Sequence, residues 1–591
     1  LGVGLGLAGL TLVSQLNIGK FYTRWWFDPL ANFTKKASFR LTGWTWLLLA
    51  FGLAGLTLAF GTGPEGSGVR VNLRVGGLLF QPSELTKYLM LLFLAGFFAA
   101  NEEQLRTLPD LRWRFRISIG VFLGTGVLMA LYLLLGDMGP ALVIGFTFLL
   151  FYTIARQTLA ITLFAGLVYG LALWQLPGLP ATLLGLVTAV GLLIWKGHAR
   201  TTTSTGWLAL MAEGPVLLVL VLAAFAFGDQ IPVVGDRLAD RKAMWLSPWN
   251  NDVYGGDHLA HSFWTMATGG LTGQGLGNGF ATAMPAAHTD MILPSLAEEL
   301  GWVGLVSVCL LLFMLLHRTL LHARRSGQPF SFYLCAGIAL ATGVQFLLIA
   351  GGSLGLVPLT GISVPFLSYG NVSLIINLTA MGIVFSIANR PGETVQQTYL
   401  DTHYDPVLAT GIAGFLLGSL VLVGRAGEVS LLNWTNYIVR PSRVLSRDGL
   451  PVYSYNPRIN RITDALAAGT LYDRNDKILA TSSPDSVRRN KAQLRQAGLD
   501  ESMVNKLATS RLKRFYPFGE QLFYMVGDAN TRLFWGQQNG YFAEAARLSD
   551  LRGFDNHPRQ NTLLTSQYRA DRFTPATTRS LTLPLYDYRE L

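Results

Sequence analysis

The sequence Pro285-Ala-Ala-His-Thr-Asp290-Met-Ile-Leu-Pro-Ser-Leu-Ala-Glu-Glu-Leu-Gly301 joins a polar segment to an apolar one. It closes a polar interruption of residues 229–300 in a chain whose first two thirds are otherwise apolar. Asp290 therefore lies just before an apolar helix, at a membrane boundary. An ionisable side chain in such a position indicates a functional site.

A glycine-rich segment, Gly269-Gly-Leu-Thr-Gly-Gln-Gly-Leu-Gly-Asn-Gly279, leads into this boundary. Six glycines in eleven residues permit tight turns and a close approach of the backbone to a ligand, although a merely flexible loop has the same composition. The polar interruption is therefore the part of the apolar region with the most room for chemistry.

The composition predicts a polytopic α-helical membrane protein. Of the 591 residues, 51% are hydrophobic and only 14% are charged, which is too apolar for an ordinary soluble protein. Apolar runs near the spanning length of about 17 to 25 residues predict the membrane helices. These runs are 1–16, 43–61, 80–100, 117–136, 139–155, 158–176, 181–195, 207–228, 296–317, 331–352, 372–389 and 406–424.

The basic residues predict the orientation of these spans. Alternate loops, beginning with 17–42, carry 16 Lys and Arg residues. The loops between them carry five, namely Arg70, Arg74, Arg237, Arg241 and Lys242. The positive-inside rule places the first set in the cytoplasm and the Asp290 loop outside. This pattern accounts for the net charge of +11 without nucleic-acid binding.

The same alternation puts residue 1 outside, and the chain begins without Met or a basic segment. A signal peptide would carry such a basic segment, so we expect at least one helix upstream. The two cysteines, Cys309 and Cys335, lie inside apolar runs and predict no disulfide framework.

Five motifs in order resemble those of the SEDS proteins, the FtsW/RodA/SpoVE group. They are Phe80-Gln-Pro-Ser-Glu-Leu-Thr-Lys87, Gly136-Asp-Met-Gly-Pro-Ala141, the glycine-rich segment, the His288-Thr-Asp290 stretch through Gly301, and Pro358-Leu-Thr-Gly-Ile-Ser-Val-Pro-Phe-Leu-Ser-Tyr-Gly370. The resemblance covers residues 1–390. It implies a peptidoglycan glycosyltransferase that polymerises lipid II at the outer face of the cytoplasmic membrane, for division or elongation.

The functional aspartate of that family falls on Asp290. In the implied inverting displacement the acceptor 4-hydroxyl must lose a proton, which a partly desolvated carboxylate can take as general base. The leaving lipid pyrophosphate develops negative charge, which cations stabilise. The substrate-binding candidates are Arg237, Arg241, Lys242, Arg70, Arg74, Glu84, Lys87, His288, Thr289, Ser368 and Tyr369. A solvated loop charge is an equally good interpretation of each loop cation.

Other charged positions have structural interpretations. Glu84 and Lys87 are spaced for an ion pair on one helix, although intramembrane charges also tend to line a cavity. Asp137 precedes a helix and is predicted to cap its N-terminus. One of Glu298 and Glu299 is expected to face the helix bundle and pair with an arginine or a backbone group.

No tightly bound cofactor is predicted. His258 and His261, next to Asp257, are spaced like two ligands on one helical face, but a metal site normally needs three or four ligands. A divalent cation, Mg²⁺ or Mn²⁺, carried by the substrate pyrophosphate is compatible with the sequence.

The chain departs from the family pattern at several places, among them Asn371, where a second glycine is usual, and Met291-Ile-Leu293, where Phe-Ile-Phe is usual. Val71-Asn72 stands where members carry Arg-Trp, so Arg70 or Arg74 would have to supply the missing phosphate contact. Four apolar runs fill residues 139–228 where two are expected. An added pair of helices leaves the orientation of the later spans unchanged.

From Glu428 the composition becomes that of a soluble domain. Asn456-Pro-Arg458, Gly469-Thr-Leu-Tyr-Asp473 and Arg514-Phe-Tyr-Pro517 resemble the N-terminal pedestal of class B penicillin-binding proteins, and residues 473–475 predict a turn between two short strands. We predict a membrane glycosyltransferase domain over 1–395, a linker and transmembrane helix over 396–424, and an extracytoplasmic α+β pedestal over 425–591.

A transpeptidase site would need Ser-x-x-Lys, Ser-x-Asn and Lys-Thr-Gly elements. Ser510-Arg-Leu-Lys513 and Ser454-Tyr-Asn456 match the first two in the wrong order, and the tail has no Lys-Thr-Gly. We therefore predict no transpeptidase active site in this chain.

Three functions stay open on the sequence alone. A lipid II polymerase requires Asp290, a lipid II flippase requires a path for the headgroup, and a non-enzymatic scaffold requires only an interface with the tail. The expected partners are lipid II, glycan linked to undecaprenyl pyrophosphate, membrane lipid, the class B module in cis, and divisome or elongasome proteins. The expected location is the bacterial cytoplasmic membrane, with the tail outside.

Overall fold

The computed structural model describes residues 2–18, 43–63, 70–75, 78–107, 111–196, 210, 212–228, 235–280, 284–326, 328–389, 394–445, 449, 451–454, 456–459, 468–509, 514–528, 541–547 and 551. The tail match at 510–513 and the end of the tail from 552 lie outside these residues.

Apolar helices in the described part of the chain occur at every predicted span, which confirms the polytopic helical fold. Seven are long and apolar enough to cross a membrane, and five more are shorter. They are α1 Gly2–Gln15, α2 Trp44–Phe60, α3 Pro82–Thr107, α4 Leu111–Leu134, α5 Met138–Ala155, α6 Leu159–Gln175, α7 Gly178–Trp195, α8 Gly214–Phe227, α11 Ile292–Arg324, α12 Pro329–Ser353, α13 Asn371–Ala388 and α14 Thr394–Gly427.

Several helix boundaries differ from the prediction; α3 and α11, for example, each end seven residues later than their apolar runs, at Thr107 and Arg324. Helix α8 begins at Gly214, seven residues later than the apolar run indicates. The segment predicted as a polar linker is helical from Thr394 and continues through Pro406 into the last span. Hydropathy identifies only the part of a helix that lies in the membrane, whereas the helix continues as far as its backbone hydrogen bonds do.

The core of the bundle lies where α3, α5 and α12 meet, in a cluster that includes Phe98, Phe151 and Tyr333. Helix α1 packs along α13, where small residues allow close approach, as is common between membrane helices. A Cβ added at Gly9 would lie 2.4 Å from Thr379 Oγ1.

At the end of the bundle opposite Asp290, a buried ion pair joins α5 to α8. Arg156 Nη2 lies 2.6 Å from Glu213 Oε1, and Arg156 Nη1 donates to Leu105 O at 2.6 Å. Arg156 was expected to be a loop cation and is instead 4% exposed. Because Arg156 neutralises the buried Glu213 carboxylate, Arg156 has a structural role.

The polar interruption folds into α9 Gly235–Leu246, β3 Asn250–Tyr254 and α10 His258–Gly269. The glycine-rich segment that follows packs against the start of α11. Gly275 N donates to Glu299 O at 3.0 Å, and Trp302 N donates to Gly270 O at 2.8 Å. Gly301 has a φ of 71° inside α11, where an added Cβ would meet Leu271 O at 2.3 Å.

The glycines permit a close approach to the backbone of α11, and a merely flexible loop would not form such a ladder of hydrogen bonds. The close approach to a ligand stays a prediction. The segment is a fixed brace on the start of α11, the helix that follows the Asp290 loop.

The described part of the tail is a small α+β arrangement. After a π-helical turn at Glu428–Leu432 come α15 Trp434–Val439, β4 Ser442–Leu445, β5 Pro451–Ser454, β6 Leu471–Tyr472, β7 Ile478–Ala480, α16 Pro484–Arg489, α17 Lys491–Gln496, α18 Glu501–Thr509, α19 Phe523–Val526 and α20 Phe542–Ala546. A further hairpin, β1 Leu73–Val75 and β2 Leu78–Phe80, precedes α3.

Two strand pairings bear on function. Strand β3 of the polar interruption pairs in parallel with β4 of the tail, and β4 pairs antiparallel with β5. The predicted turn between β6 and β7 is confirmed, because Asp473 Oδ1 accepts hydrogen bonds from Asn475 N and Lys477 N. The tail is thus hydrogen-bonded to the segment that precedes Asp290.

The predicted orientation can be tested with introduced cysteines, because Cys309 and Cys335 are both buried. Asn278→Cys, in the exposed glycine-rich segment, should react with a membrane-impermeant maleimide in intact spheroplasts. Gln328→Cys, exposed before α12 at the other end of the bundle, should react only after permeabilisation. The reverse labelling pattern would overturn the orientation.

Candidate active site

The loop that carries Asp290 is held by the segment before α13. Ser368 Oγ donates to Thr289 O at 2.7 Å, and Tyr369 N donates to His288 O at 2.8 Å. The exposed rings of His288 and Tyr369 lie 6.1 Å apart. Four of the predicted site residues therefore lie together, with Ser368 and Thr289 fixing the position of the neighbouring carboxylate.

Asp290 and Arg241 approach the same point on the loop after α12. A Cβ added at Gly361 would lie 3.6 Å from Asp290 Oδ2 and 3.9 Å from Arg241 Nη2. Gly361 has a φ of 68°, a conformation in which glycine is unstrained. Arg241 Nη1 also donates to Leu359 O, which fixes the guanidinium beside the loop.

Burial shifts the pKa values of these groups. It raises the pKa of Asp290, while His258 and Arg241 oppose that rise. It also lowers the pKa of Arg241, against the attraction of Asp137 and Asp290. A carboxylate with a raised pKa is a stronger base than an exposed one, as expected of a general base.

Asp137 belongs to this charge cluster, and its predicted capping role is wrong. It occupies the position before α5, but its side chain makes no capping hydrogen bond. Asp137 Oδ2 is buried and accepts no hydrogen bond from the described residues. Burial raises the pKa of Asp137 to about 7, with Arg241 opposing the rise and Glu84 and Asp290 adding to it.

The other predicted cations are distributed around this cluster. Arg237 packs against Gly136, where an added Cβ would lie 1.6 Å from Arg237 Nη1. Arg70 N donates to Leu135 O at 3.0 Å, while its guanidinium donates to Leu58 O. Arg237 and Arg70 therefore flank the loop that carries Asp137.

Lys242 and Arg74 are placed less directly. Lys242 Nζ donates to Ala226 O at 2.6 Å and so ties α9 to the end of α8. Arg74 is exposed on the β1–β2 hairpin. Neither has a described contact with Asp290 or Arg241.

Glu84 and Lys87 form an ion pair, one of the two interpretations of their spacing, with 3.1 Å between Lys87 Nζ and Glu84 Oε2. Both are buried and extend the pair into a network: Lys87 donates to Gln345 Oε1 at 2.6 Å, and Ser363 Oγ donates to Glu84 Oε1 at 3.1 Å. Because Ser363 is two residues from Gly361, the pair supports the loop beneath the site.

His258 has a location that sequence reasoning missed. It was weighed only as a metal ligand, yet it is close enough to Asp290 to lower its pKa. His258 Nδ1 lies 2.6 Å from Gly255 O, and His261 Nε2 lies 3.3 Å from Asp257 Oδ2. Within the described ranges, no group of three or more His, Cys, Asp or Glu side chains could hold a metal ion.

A groove lined largely by apolar residues opens beside Arg241. Its volume is about 110 Å³, and it runs between α5, α8 and the loop after α12, with Leu142, Phe225 and Pro358 among its lining residues. Thr360 also lines it, and Thr360 Oγ1 is buried without a hydrogen-bond partner in the described structure. The charged Arg241 guanidinium therefore lies next to an apolar surface.

The polar interruption is joined to the tail by a buried ion pair. Arg458 Nε lies 2.5 Å from Glu298 Oε1, and Arg458 Nη2 donates to Glu298 Oε2 at 2.7 Å. Glu298 Oε2 also accepts from Phe280 N at 3.2 Å. The expectation that one of the two glutamates pairs with an arginine is confirmed, with the arginine supplied by the tail.

Comparison with known proteins identifies the family. Residues 31–176 and 179–392, more than half of the chain, match the Cell cycle protein family of FtsW, RodA and SpoVE. The chain belongs to this family. Among curated FtsW/RodA relatives, "Peptidoglycan glycosyltransferase RodA" of Mycobacterium leprae is 28% identical over 55% of this chain and 59% of its own length.

A second FtsW/RodA relative, "Probable peptidoglycan glycosyltransferase FtsW" of Coxiella burnetii, is 30% identical over 58% of this chain and 77% of its own length. A chain from a solved peptidoglycan synthase complex is 23% identical, with a TM-score of 0.42, and the match covers 66% of this chain and 87% of that one.

The pKa of Asp137 predicts how substrate affinity depends on pH. Below about pH 7 Asp137 is neutral, whereas above it the ionised carboxylate attracts Arg241 and competes with an anionic substrate. The KM for an anionic substrate should therefore rise through this pH by up to about tenfold, equivalent to about 1.4 kcal/mol. Asp137→Asn should abolish that rise, and parallel KM profiles for the two proteins would contradict the assignment.

The ion pair between Glu298 and Arg458 predicts a non-additive effect on stability. Arg458→Met should destabilise the protein by about 3–5 kcal/mol, because it leaves a buried carboxylate uncompensated. Adding Glu298→Met should restore most of that loss. Thermal unfolding in detergent would measure both changes. The exposed pair of Arg488 and Asp485 is the control, and removing Arg488 from it should destabilise the protein by only about 0–1 kcal/mol. Additive effects of the substitutions at Glu298 and Arg458 would contradict the coupling.

Proposed function

We propose that this protein is a peptidoglycan glycosyltransferase that polymerises lipid II into glycan strands at the outer face of the cytoplasmic membrane. The observation that carries the proposal is the convergence of Asp290 Oδ2 and the Arg241 guanidinium beside Gly361. A base and a cation at one point are what glycosyl transfer from a pyrophosphate requires. Membership of the FtsW/RodA/SpoVE family and the names of its curated relatives support the same activity.

In the proposed reaction Asp290 is the general base. The acceptor 4-hydroxyl oxygen forms a bond to the anomeric carbon of the donor sugar while its proton passes to the Asp290 carboxylate. The bond from the anomeric carbon to the pyrophosphate oxygen breaks, and the electron pair leaves with the lipid pyrophosphate. Burial favours this role, because a desolvated carboxylate gains more from accepting a proton.

Arg241 is proposed to stabilise the departing pyrophosphate. Its Nη1 group is fixed on Leu359 O, so the guanidinium needs no rearrangement as negative charge develops. Arg237 and Arg70, which flank the Asp137 loop, are placed to extend the positive field. The unpartnered Thr360 hydroxyl is a further donor that this oxyanion would satisfy.

The apolar groove is proposed to bind the polyprenyl chain. Its lining continues from Arg241 and Thr360 to Leu142 and Phe225, so a phosphate at the cation would place the attached prenyl chain on apolar side chains. Val221 in this groove is 36% exposed, which leaves it open toward the surrounding lipid. Such an arrangement suits a substrate that never leaves the bilayer.

We further propose that the tail from residue 425 is an extracytoplasmic pedestal of the class B penicillin-binding-protein type, following the transmembrane helix α14. The β3–β4 pairing and the pair between Arg458 and Glu298 support a module that functions with the polymerase in cis. Divisome or elongasome proteins are the expected further partners. A divalent cation would come with the pyrophosphate.

Asp290→Asn tests the catalytic assignment. The amide is nearly isosteric with the carboxylate but cannot take the proton, so polymerisation of lipid II by the purified protein should fall by roughly 10²–10⁴. Asp485→Asn, at an exposed position in α16 of the tail, is the matched control and should retain activity. An Asp290→Asn protein that makes polymer at the wild-type rate would refute the proposal.

Arg458→Met tests whether the tail acts on the site. Glu298 accepts from Phe280 N, and Glu298 O accepts from Gln274 N, so loss of its partner should loosen the brace on the start of α11. We expect a polymerisation rate several-fold below wild type at equal membrane expression, whereas Arg488→Met should be unchanged. Full activity in Arg458→Met would mean that the tail does not influence catalysis.

A further inference from the structure

A cavity at the junction between the polar interruption and the tail has no part in the proposed reaction. Its volume is about 530 Å³, within the range of roughly 300–1,000 Å³ typical of small-molecule sites. One wall comes from α9, β3 and α10, and the opposite wall comes from residues between 425 and 440. The cavity is therefore complete only when both parts of the chain are present.

Aromatic rings form much of its surface. The ring centroid of Trp249 lies 5.9 Å from that of Phe263 and 6.0 Å from that of Tyr437, and all three residues line the cavity. Trp245 is fixed by a hydrogen bond from its Nε1 to Gly355 O at 2.9 Å. Phe263 is buried behind the others. The half-buried rings of Trp245, Trp249 and Tyr437 present preformed apolar surface, on which the C–H face of a pyranose packs well.

The polar lining is of a kind that suits a hydroxylated ligand. Asn250, Asn433 and Asn436 contribute amides, and no acidic side chain is among the described lining residues. Arg425 is already paired with Glu428. Arg440, stacked 5.0 Å from the Trp249 ring centroid, makes no ion pair with any described residue, and so it is free to bind one carboxylate.

The cavity is close to the proposed catalytic centre. Trp245 follows Arg241 by one turn of α9, a rise of about 5.4–6 Å. Both side chains donate to carbonyls of the loop after α12, at Gly355 and Leu359. A polymer leaving the site of bond formation would therefore pass the cavity within a few sugar units.

We propose that this cavity binds a segment of the newly made glycan strand, recognising its pyranose faces through the aromatic rings and a carboxylate of a stem peptide through Arg440. This inference rests on the proposed function and adds a product-binding site to it. Such a site would retain the strand between successive additions and so lengthen the polymer.

The test uses the full-length chain in detergent and soluble, lipid-free fragments of alternating N-acetylglucosamine and N-acetylmuramic acid in which each muramic acid carries its stem peptide. Calorimetry should detect binding to the wild type, and Arg440→Gln should weaken it by about tenfold through loss of a charge-assisted hydrogen bond. Arg488→Gln, remote in α16, is the matched control and should bind normally. A neutral chitin oligosaccharide should bind the wild type and Arg440→Gln equally. Thermal unfolding would verify that Arg440→Gln is folded.

Three outcomes would overturn the inference. The first two are no binding of the fragments by the wild type, and equal affinity of the wild type and Arg440→Gln for the acidic fragments. The third is a change in tryptophan fluorescence that depends on Arg440 when the protein is moved from neutral to phosphatidylglycerol nanodiscs, without any binding of glycan. The last would identify a phospholipid headgroup site.

Asp290→Asn separates this inference from the proposed function. That variant should still bind the fragments while failing to polymerise. If wild-type protein polymerises lipid II but does not bind the fragments, only the product-binding site fails. If Asp290→Asn polymerises normally, the catalytic assignment fails instead.

Discussion

The pairing of Glu298 with Arg458 is the constraint on which the arrangement of the two parts depends. Both side chains are only 1% exposed, so each charge would carry a large desolvation penalty without the other. The carboxylate belongs to α11 and the guanidinium to the tail, and the same carboxylate accepts the amide of Phe280. Docking of the tail and folding of the segment that leads to Asp290 are therefore coupled through one carboxyl group.

Hydropathy was sufficient to locate the membrane helices, because each must bury its backbone polar groups internally and present an apolar surface to lipid. The candidate aspartate could also be predicted from the sequence, because Asp290 lies in a polar segment immediately before α11. Asp137 was misjudged because its partners are distant in sequence. Its position before α5 is typical of a cap, and only the fold shows that Arg241 lies beside it.

The glycine-rich segment illustrates a second limit of sequence reasoning. The pattern shows that the backbone needs unusual conformations or close contacts, but it does not show what the backbone contacts. Here Gly273, Gly275 and Gly301 all have positive φ, and the hydrogen bonds show that the segment packs on the start of α11. The arginine that pairs with Glu298 could not be predicted either, because 160 residues separate the two in the sequence.

The groove beside Arg241 has a consequence for turnover. If the donor's prenyl chain occupies it, the polyprenyl pyrophosphate released by each transfer has the same headgroup charge and the same tail, and fits the same place. Spent carrier would then compete with fresh substrate and inhibit the enzyme until it diffuses sideways into the bilayer. The throughput of the proposed polymerase would then depend on how quickly the spent carrier leaves the groove.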